Sequence, residues 1–266
     1  MNNAFTDWFK YKFLHLPMLA SEHGERMDNL MMYVHWLMLA LLVGWSVFFF
    51  YTVVRFRASR NPRSDYAGVR GHFSNYLEGG VVLVEGILLL AFAVPLWAQV
   101  VDNRPDEETS TVIRVMGRQF NWMAHYPGVD GKMGRQDPAL SSASDPFGVD
   151  RQGDPNGADD VVVQGNIVVP VNKDVIAHIT SLDVIHSFAI KSMRVCQDAI
   201  PGMTIPTWFK PVREGEYLIT CAQLCGNSHF GMFGTLKVVS QEEYDQWLAE
   251  QSAKARSAAA EPVSYE

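Results

Sequence analysis

The chain has 266 residues, 48% of them hydrophobic, and a formal net charge of -7. That length holds one sizeable domain and something smaller, and the negative charge argues against nucleic acid while suiting a cationic partner. The apolar residues are concentrated before Asp102, and the remainder reads as an ordinary soluble domain.

Residues 1–28 precede a first apolar run, Asn29 to Phe56, in which His35 is the one side chain before Arg55 that charges near neutrality. The run exceeds the roughly 20 residues needed to cross a bilayer. It starts too late and runs too long for the apolar core of a cleaved signal peptide. His35 reads as a helix-packing residue. The loop that follows, residues 57–76, belongs to a basic patch of Arg55, Arg57, Arg60, Arg63 and Arg70 against the single acid Asp65. A second span, Leu77 to Val101, carries Glu78 and Glu85, spaced by seven and so on nearly one helix face. Carboxylates in a span are costly and usually face protein or a water path. The basic loop is expected in the cytoplasm, with both termini and everything after Asp102 outside. In a bacterial inner membrane that places the soluble part in the periplasm, where disulfides are allowed and copper is accessible.

From about Thr109 the pattern changes to short alternating apolar runs rich in β-branched and aromatic residues, bounded by Gly, Pro, Asp and Asn. This predicts an antiparallel sandwich or barrel over residues 102–240. Between Pro127 and Asp160 lies a long Gly/Asp/Pro/Ser-rich stretch, expected to be functional or packed on a partner. Residues 241–266 read as a helix running into a disordered, Ala-rich tail.

The chemistry concentrates in "CAQLCGNSHFGM", Cys221 to Met232, in a chain with only three cysteines. A small disulfide loop is the plainest alternative. Zinc would want a second pair of nitrogen or sulfur ligands and would gain nothing from Met232. A thioredoxin-like pair needs C-x-x-C at a helix start, which this is not. Copper accounts for every residue type: thiolate and thioether are soft ligands, imidazole suits copper, and Met is a usual weak axial ligand. Cys225, His229 and Met232 supply such a loop, and His186 in "DVIHSFAI" is the natural distant donor. Cys221 adds a second thiolate, so that two coppers could be bridged and share one unpaired electron.

These residues, together with "DAIPGM" and the preceding pair of spans, give a chain that resembles subunit II of the haem–copper cytochrome c oxidases, from about Asn29 to Ser240. The resemblance implies a two-helix transmembrane hairpin followed by an all-β Greek-key cupredoxin domain holding the dinuclear CuA centre. It implies that Cys221 and Cys225 bridge the coppers, that His186 and Met232 complete one metal, and that His229 and the backbone carbonyl of Gln223 complete the other. It further implies subunits I and III as partners, with haems in subunit I, and a c-type cytochrome or haem c subunit as donor, in some cases within a respiratory supercomplex. Glu78 matches the position of a proton-entry acid, whereas Glu85 stands where relatives often have Pro.

Three features bear on how far the resemblance extends. Gln223 replaces the usual Glu, and its neutral amide binds a hard cation less strongly, which weakens any magnesium site at the subunit I interface. Asp198 is an acid near that region. Phe120 in "GRQFNW" replaces a surface Trp at which the donor docks, leaving Trp122 as the next indole and suggesting a dedicated haem c partner. No C-x-x-C-H is present, so the donor is expected on a separate chain. Asp106, Glu107, Glu108, Asp159 and Asp160 could steer a basic donor, and Cys196 reads as a buried or free thiol, not a ligand. The resulting function is the electron-entry subunit of an oxygen reductase that pumps protons. The alternatives are the equivalent subunit of a nitric oxide reductase and a membrane-anchored copper-delivery protein.

Overall fold

The computed structural model of the chain describes residues 4–63, 66–68 and 71–260. Asp65 and Arg70 of the basic loop, and the last residues of the expected tail, lie outside the described residues. The chain divides into two compact units, Glu25–Asn103 and the remainder.

After a short helix α1 (Ala4–Trp8), α2 (Gly24–Arg55) and the helical stretch Phe73–Asp102 are each long and apolar enough to cross a membrane. Their apolar side chains are largely exposed, Phe48, Phe49 and Phe50 among them, as lipid-facing or partner-facing surfaces require. The second stretch is not uniform. It runs as α3 (Phe73–Ile87), a π-helical turn over Leu88–Ala93, and α4 (Val94–Asp102) with Pro95 at its start. Proline has no amide to donate and its ring crowds the preceding turn, which the wider π turn absorbs. His35 Nδ1 lies 2.8 Å from the Met31 carbonyl of its own helix, in keeping with a packing residue.

The other unit is a β-sandwich of two five-stranded sheets. One sheet contains β1 (Thr111–Arg118), β2 (Asn121–Tyr126), β3 (Val161–Gln164), β5 (Val175–Ser181) and β8 (Ile205–Phe209), in the order β3-β2-β1-β5-β8. The other contains β4 (Asn166–Pro170), β6 (His186–Ile190), β7 (Val195–Ala199), β9 (Gly215–Cys221) and β10 (Phe233–Val239), in the order β4-β10-β9-β6-β7. Strict alternation in β1 sends Ile113 and Val115 inward, where they meet Trp122, Phe188, Ile190, Ile219 and Leu236. The sheets are not purely antiparallel, as the alternating runs alone suggested. β1 pairs with β5, and β4 with β10, in parallel. Parallel neighbours cannot be joined by a hairpin, and each pair is closed by a crossover through the opposite sheet.

Two segments outside the strands complete this unit. Ala20 is fully buried in the core, its amide donating to Ser192 O at 2.9 Å and its carbonyl accepting from Val212 at 2.8 Å. The helix α5 (Gln241–Ala260) seats Trp247 edge-on to Tyr126 at 5.1 Å. It continues through the Ala-rich stretch expected to be disordered, because alanine has the highest helix propensity.

The stretch between Pro127 and Asp160 is ordered against its own sheet. Phe147 and Val149 bury against Met123, while Asp137 and Asp154 cap short 3-10 turns. Asp159 and Asp160 are not surface charges that could steer a donor. Both are buried: Asp160 meets His125 Nε2 at 2.6 Å, and Asp159 meets Arg256 Nη2 at 3.0 Å. A buried carboxylate is tolerable when paired and hydrogen-bonded in this way. Asp106, Glu107 and Glu108 do remain exposed.

Candidate metal centre

Strand order brings the donors to one end of the second sheet. β6 begins at His186, while β9 ends at Cys221, and these adjacent strands run antiparallel, with Phe188 opposite Cys221. β9 and β10 form the other pair, so the loop from Ala222 to Met232 closes a hairpin beside His186. The Cys221 amide donates to Met232 O at 3.3 Å across its base. A 3-10 turn at His229–Gly231 then folds His229 and Met232 back over the cysteines.

Cys221 Sγ and Cys225 Sγ are 3.8 Å apart, and both thiols are free. Each also faces an imidazole: His186 Nδ1 lies 3.9 Å from Cys221 Sγ, and His229 Nδ1 lies 3.5 Å from Cys225 Sγ. Met232 Sδ approaches Cys225 Sγ at 3.7 Å, and Gln223 O approaches Cys221 Sγ at 3.1 Å. The fold thus gathers every ligand candidate named from the loop, with His186 added from a strand far away in sequence. Without a metal, burial pushes the Cys225 thiol up to about 11, and the hydrogen bond and charge of Cys221 add to the shift. The thiols therefore hold their protons until a cation displaces them, and two sulfurs this close beside two imidazoles suit a soft cation best.

Surrounding groups orient these ligands. Asp183 Oδ1 lies 2.8 Å from His186 Nε2, leaving Nδ1 for the cysteine side. The Asp183 carboxyl is held below its ordinary range even though burial, the largest influence, pushes it up; the Gln119 and Val184 amides and His186 outweigh burial. Asp183 and the Gln119 side chain were not singled out from the sequence, although Asp183 stands three residues before His186 in "SLDVIHSF". Gln119 Nε2 donates to Cys225 O at 2.6 Å, which pins the loop from the β1–β2 turn. Gly117 is required for close approach, because a Cβ there would lie 2.9 Å from the His186 ring. At Gly226, φ is +139°, and a Cβ would lie 2.7 Å from Gln119 Nε2 and 3.1 Å from the Phe120 ring.

Other predicted residues fall elsewhere. Trp122 is fully buried, edge-on to Phe188 at 5.2 Å and to His186 at 5.9 Å, so it offers a donor no surface. Phe120 is half-buried against the ligand loop. Cys196 is an exposed free thiol and not a buried one, because position 196 of β7 points outward between buried Val195 and Ala199. Asp198, also exposed, pairs across strands with Ser187, next to His186. Glu78 and Glu85 both lie in α3. Glu78 lines a cavity of about 460 Å³ with Ala40, Gly44 and Trp45, and Glu85 lines one of about 330 Å³ with Val34, Met38 and Leu41.

Comparison with known proteins gives a consistent assignment. Residues 111–239 match the family described as cytochrome C oxidase subunit II, periplasmic domain. An alternative cytochrome c oxidase subunit 2 of Bradyrhizobium diazoefficiens is 32% identical over 206 residues, covering 77% of this chain and 73% of that protein. A cytochrome c oxidase subunit 2 of Cereibacter sphaeroides is 30% identical over 234 residues, covering 81% and 75% respectively. Among solved structures, the periplasmic domain of subunit II of cytochrome oxidase from Bradyrhizobium japonicum is similar, with 31% identity and a TM-score of 0.42, covering 56% of this chain and 97% of that one.

Proposed function

We propose, from the premise that this chain belongs to the cytochrome c oxidase subunit II family, that it is the electron-entry subunit of a haem–copper terminal oxidase. It receives electrons from a c-type cytochrome on the periplasmic side and delivers them to haem in subunit I, where oxygen is reduced to water as protons are pumped. One observation carries the reading: two free thiols 3.8 Å apart, each facing the Nδ1 of a different imidazole. Bound there, a pair of coppers would supply one-electron transfer with the charge shared over two metals.

The residues of this chain do the rest. Cys221, Cys225, His186, His229, Met232 and the Gln223 carbonyl would together hold the copper pair. Asp183 holds His186 by Nε2, and Gln119 holds the Cys225 carbonyl. His186 and Met232 are fully buried and would keep water from one side of a bound metal pair, which would limit reorganisation around a changing charge. The Gln223 amide would hold magnesium only weakly compared with a carboxylate. The two long apolar helices would place the chain in the bacterial inner membrane beside subunits I and III, with both termini and the β-sandwich in the periplasm.

Electron paramagnetic resonance of the copper-loaded full chain tests this. Hyperfine coupling to two near-equivalent copper nuclei is expected. A single-copper spectrum, or a Cys221–Cys225 disulfide in the copper-loaded protein, overturns the dinuclear centre.

A further inference from the structure

The sandwich carries a second polar site, on the outer face of its first sheet and unrelated to the cysteine loop. Arg114 alternates with buried Ile113 and Val115 along β1, so its side chain leaves the core on the opposite face. Its cross-strand neighbours are His125 on β2 and His178 on β5, which makes a His–Arg–His row across the sheet. Arg114 is half-buried, and its Nη1 is fully shielded yet has no hydrogen-bond partner among the described residues. The nearby acid makes no hydrogen bond to it. Asp160 Oδ2 is taken by His125 Nε2 at 2.6 Å and the Gly134 amide at 2.8 Å, and Oδ1 by the Gly128 amide at 3.4 Å. Burial lowers the Arg114 pKa and the Asp160 charge only partly offsets it, as for a cation short of a counter-ion.

This guanidinium lines a cavity of about 610 Å³, together with His178, Gln136, Thr204, Glu107 and Glu108. A guanidinium nitrogen shielded without an acceptor is costly, and a planar oxyanion that accepts two parallel N–H bonds is the best partner for such a group. The rim sets the charge of that partner. Glu107 meets His178 Nε2 at 3.1 Å, and Glu108 adds a second negative charge, so any anion is opposed there and a dianion about twice as strongly as a monoanion. We propose that this cavity is a binding site for a carboxylate, held by Arg114 with Gln136, Thr204 and His178 around it. The carboxylate comes either from a free monocarboxylate or from an acidic side chain of a neighbouring subunit.

Isothermal titration of the detergent-purified full chain with acetate, and separately with inorganic phosphate, reads the site. Acetate is expected to bind saturably, roughly tenfold or more weakly in Arg114→Gln, while phosphate fails to bind the wild type. The double change Glu107→Gln with Glu108→Gln should strengthen acetate binding and admit phosphate, a response that a merely structural arginine would not produce. The same titration on the assembled complex separates the two sources. Retained binding means a free carboxylate. Lost binding, with an acidic side chain of another subunit resolved against Arg114 in a map of the complex, means a neighbour. No saturable acetate binding by the full chain overturns the site, as does a non-acidic group seated on Arg114 in the complex. Equal acetate affinity in wild type and Arg114→Gln also overturns it. If Arg114→Gln does not fold, an unchanged affinity in the double glutamine variant does so.

Discussion

Asp183 Oδ1 sits 2.8 Å from His186 Nε2, so the ring presents Nδ1, and not Nε2, toward Cys221 at 3.9 Å. A carboxylate on the far nitrogen fixes both the tautomer and the orientation of a ligating imidazole. Asp183 also accepts the Gln119 amide at 2.7 Å, and so ties the β1–β2 turn to the histidine. Asp183→Asn should therefore lower copper affinity by roughly tenfold or more and shift the visible spectrum, while the chain stays folded. Copper titration beside circular dichroism checks this. An unchanged affinity and spectrum would show that His186 is oriented by its strand alone.

The two aromatic positions of the β1–β2 hairpin separate cleanly. Trp122 is fully buried between Phe188 and His186, and truncation there leaves a large cavity. Trp122→Ala should cost about 3–5 kcal/mol of stability. Phe120→Ala should leave the fold and copper spectrum intact but weaken docking of the electron donor, because Phe120 flanks Gly226 at the half-exposed edge of the ligand loop. Chemical denaturation reads the first, and reduction rate against donor concentration reads the second. Donor kinetics unaffected by Phe120→Ala would place electron entry elsewhere.

Stability should depend on His23. Its ring lies 5.5 Å from Trp208, and its Nδ1 is buried without a hydrogen-bond partner among the described residues. Burial lowers its pKa below the ordinary 6.5, outweighing the Glu22 charge. The unfolded chain thus takes up the proton first, so stability is full above 6.5 and falls as pH drops toward the lowered folded value. Melting temperatures of the full chain across this window should fall less in His23→Gln than in the wild type. Parallel curves would assign the acid sensitivity to other groups.

Glu78 lies near the start of α3, in an apolar cavity beside Gly44 and Trp45. A carboxylate there can collect a proton and pass it inward, whereas an amide cannot. Glu78→Gln in the assembled oxidase should slow proton-coupled reduction of the active site, with reduction of the copper centre unchanged. Stopped-flow absorbance that follows copper and haem separately distinguishes these. Wild-type rates at both centres would leave Glu78 a helix-end residue.

Much of this protein was legible in one dimension. Long unbroken apolar runs mark the two spans, because a bilayer demands a length that few soluble helices need. The cysteine loop declares its chemistry through residue type and short spacing, since soft ligands seldom cluster without a soft metal. Other features depend on partners distant in sequence. Asp159 and Asp160 read as surface acids and are buried, because the stretch after Pro127 folds back and supplies amides, while β2 supplies His125 and α5 supplies Arg256. Trp122 reads as a candidate entry indole and is core, because its strand face is set by the opposite sheet. The parallel pairs β1/β5 and β4/β10 follow from crossovers that local alternation does not encode, and Ala20 is inside the core because its backbone bonds to Ser192 and Val212, far away in sequence. The unsatisfied Nη1 of Arg114 emerges only when three strands and the folded-back stretch come together around it, since shielding from water is a property of the assembled surface and not of any residue alone.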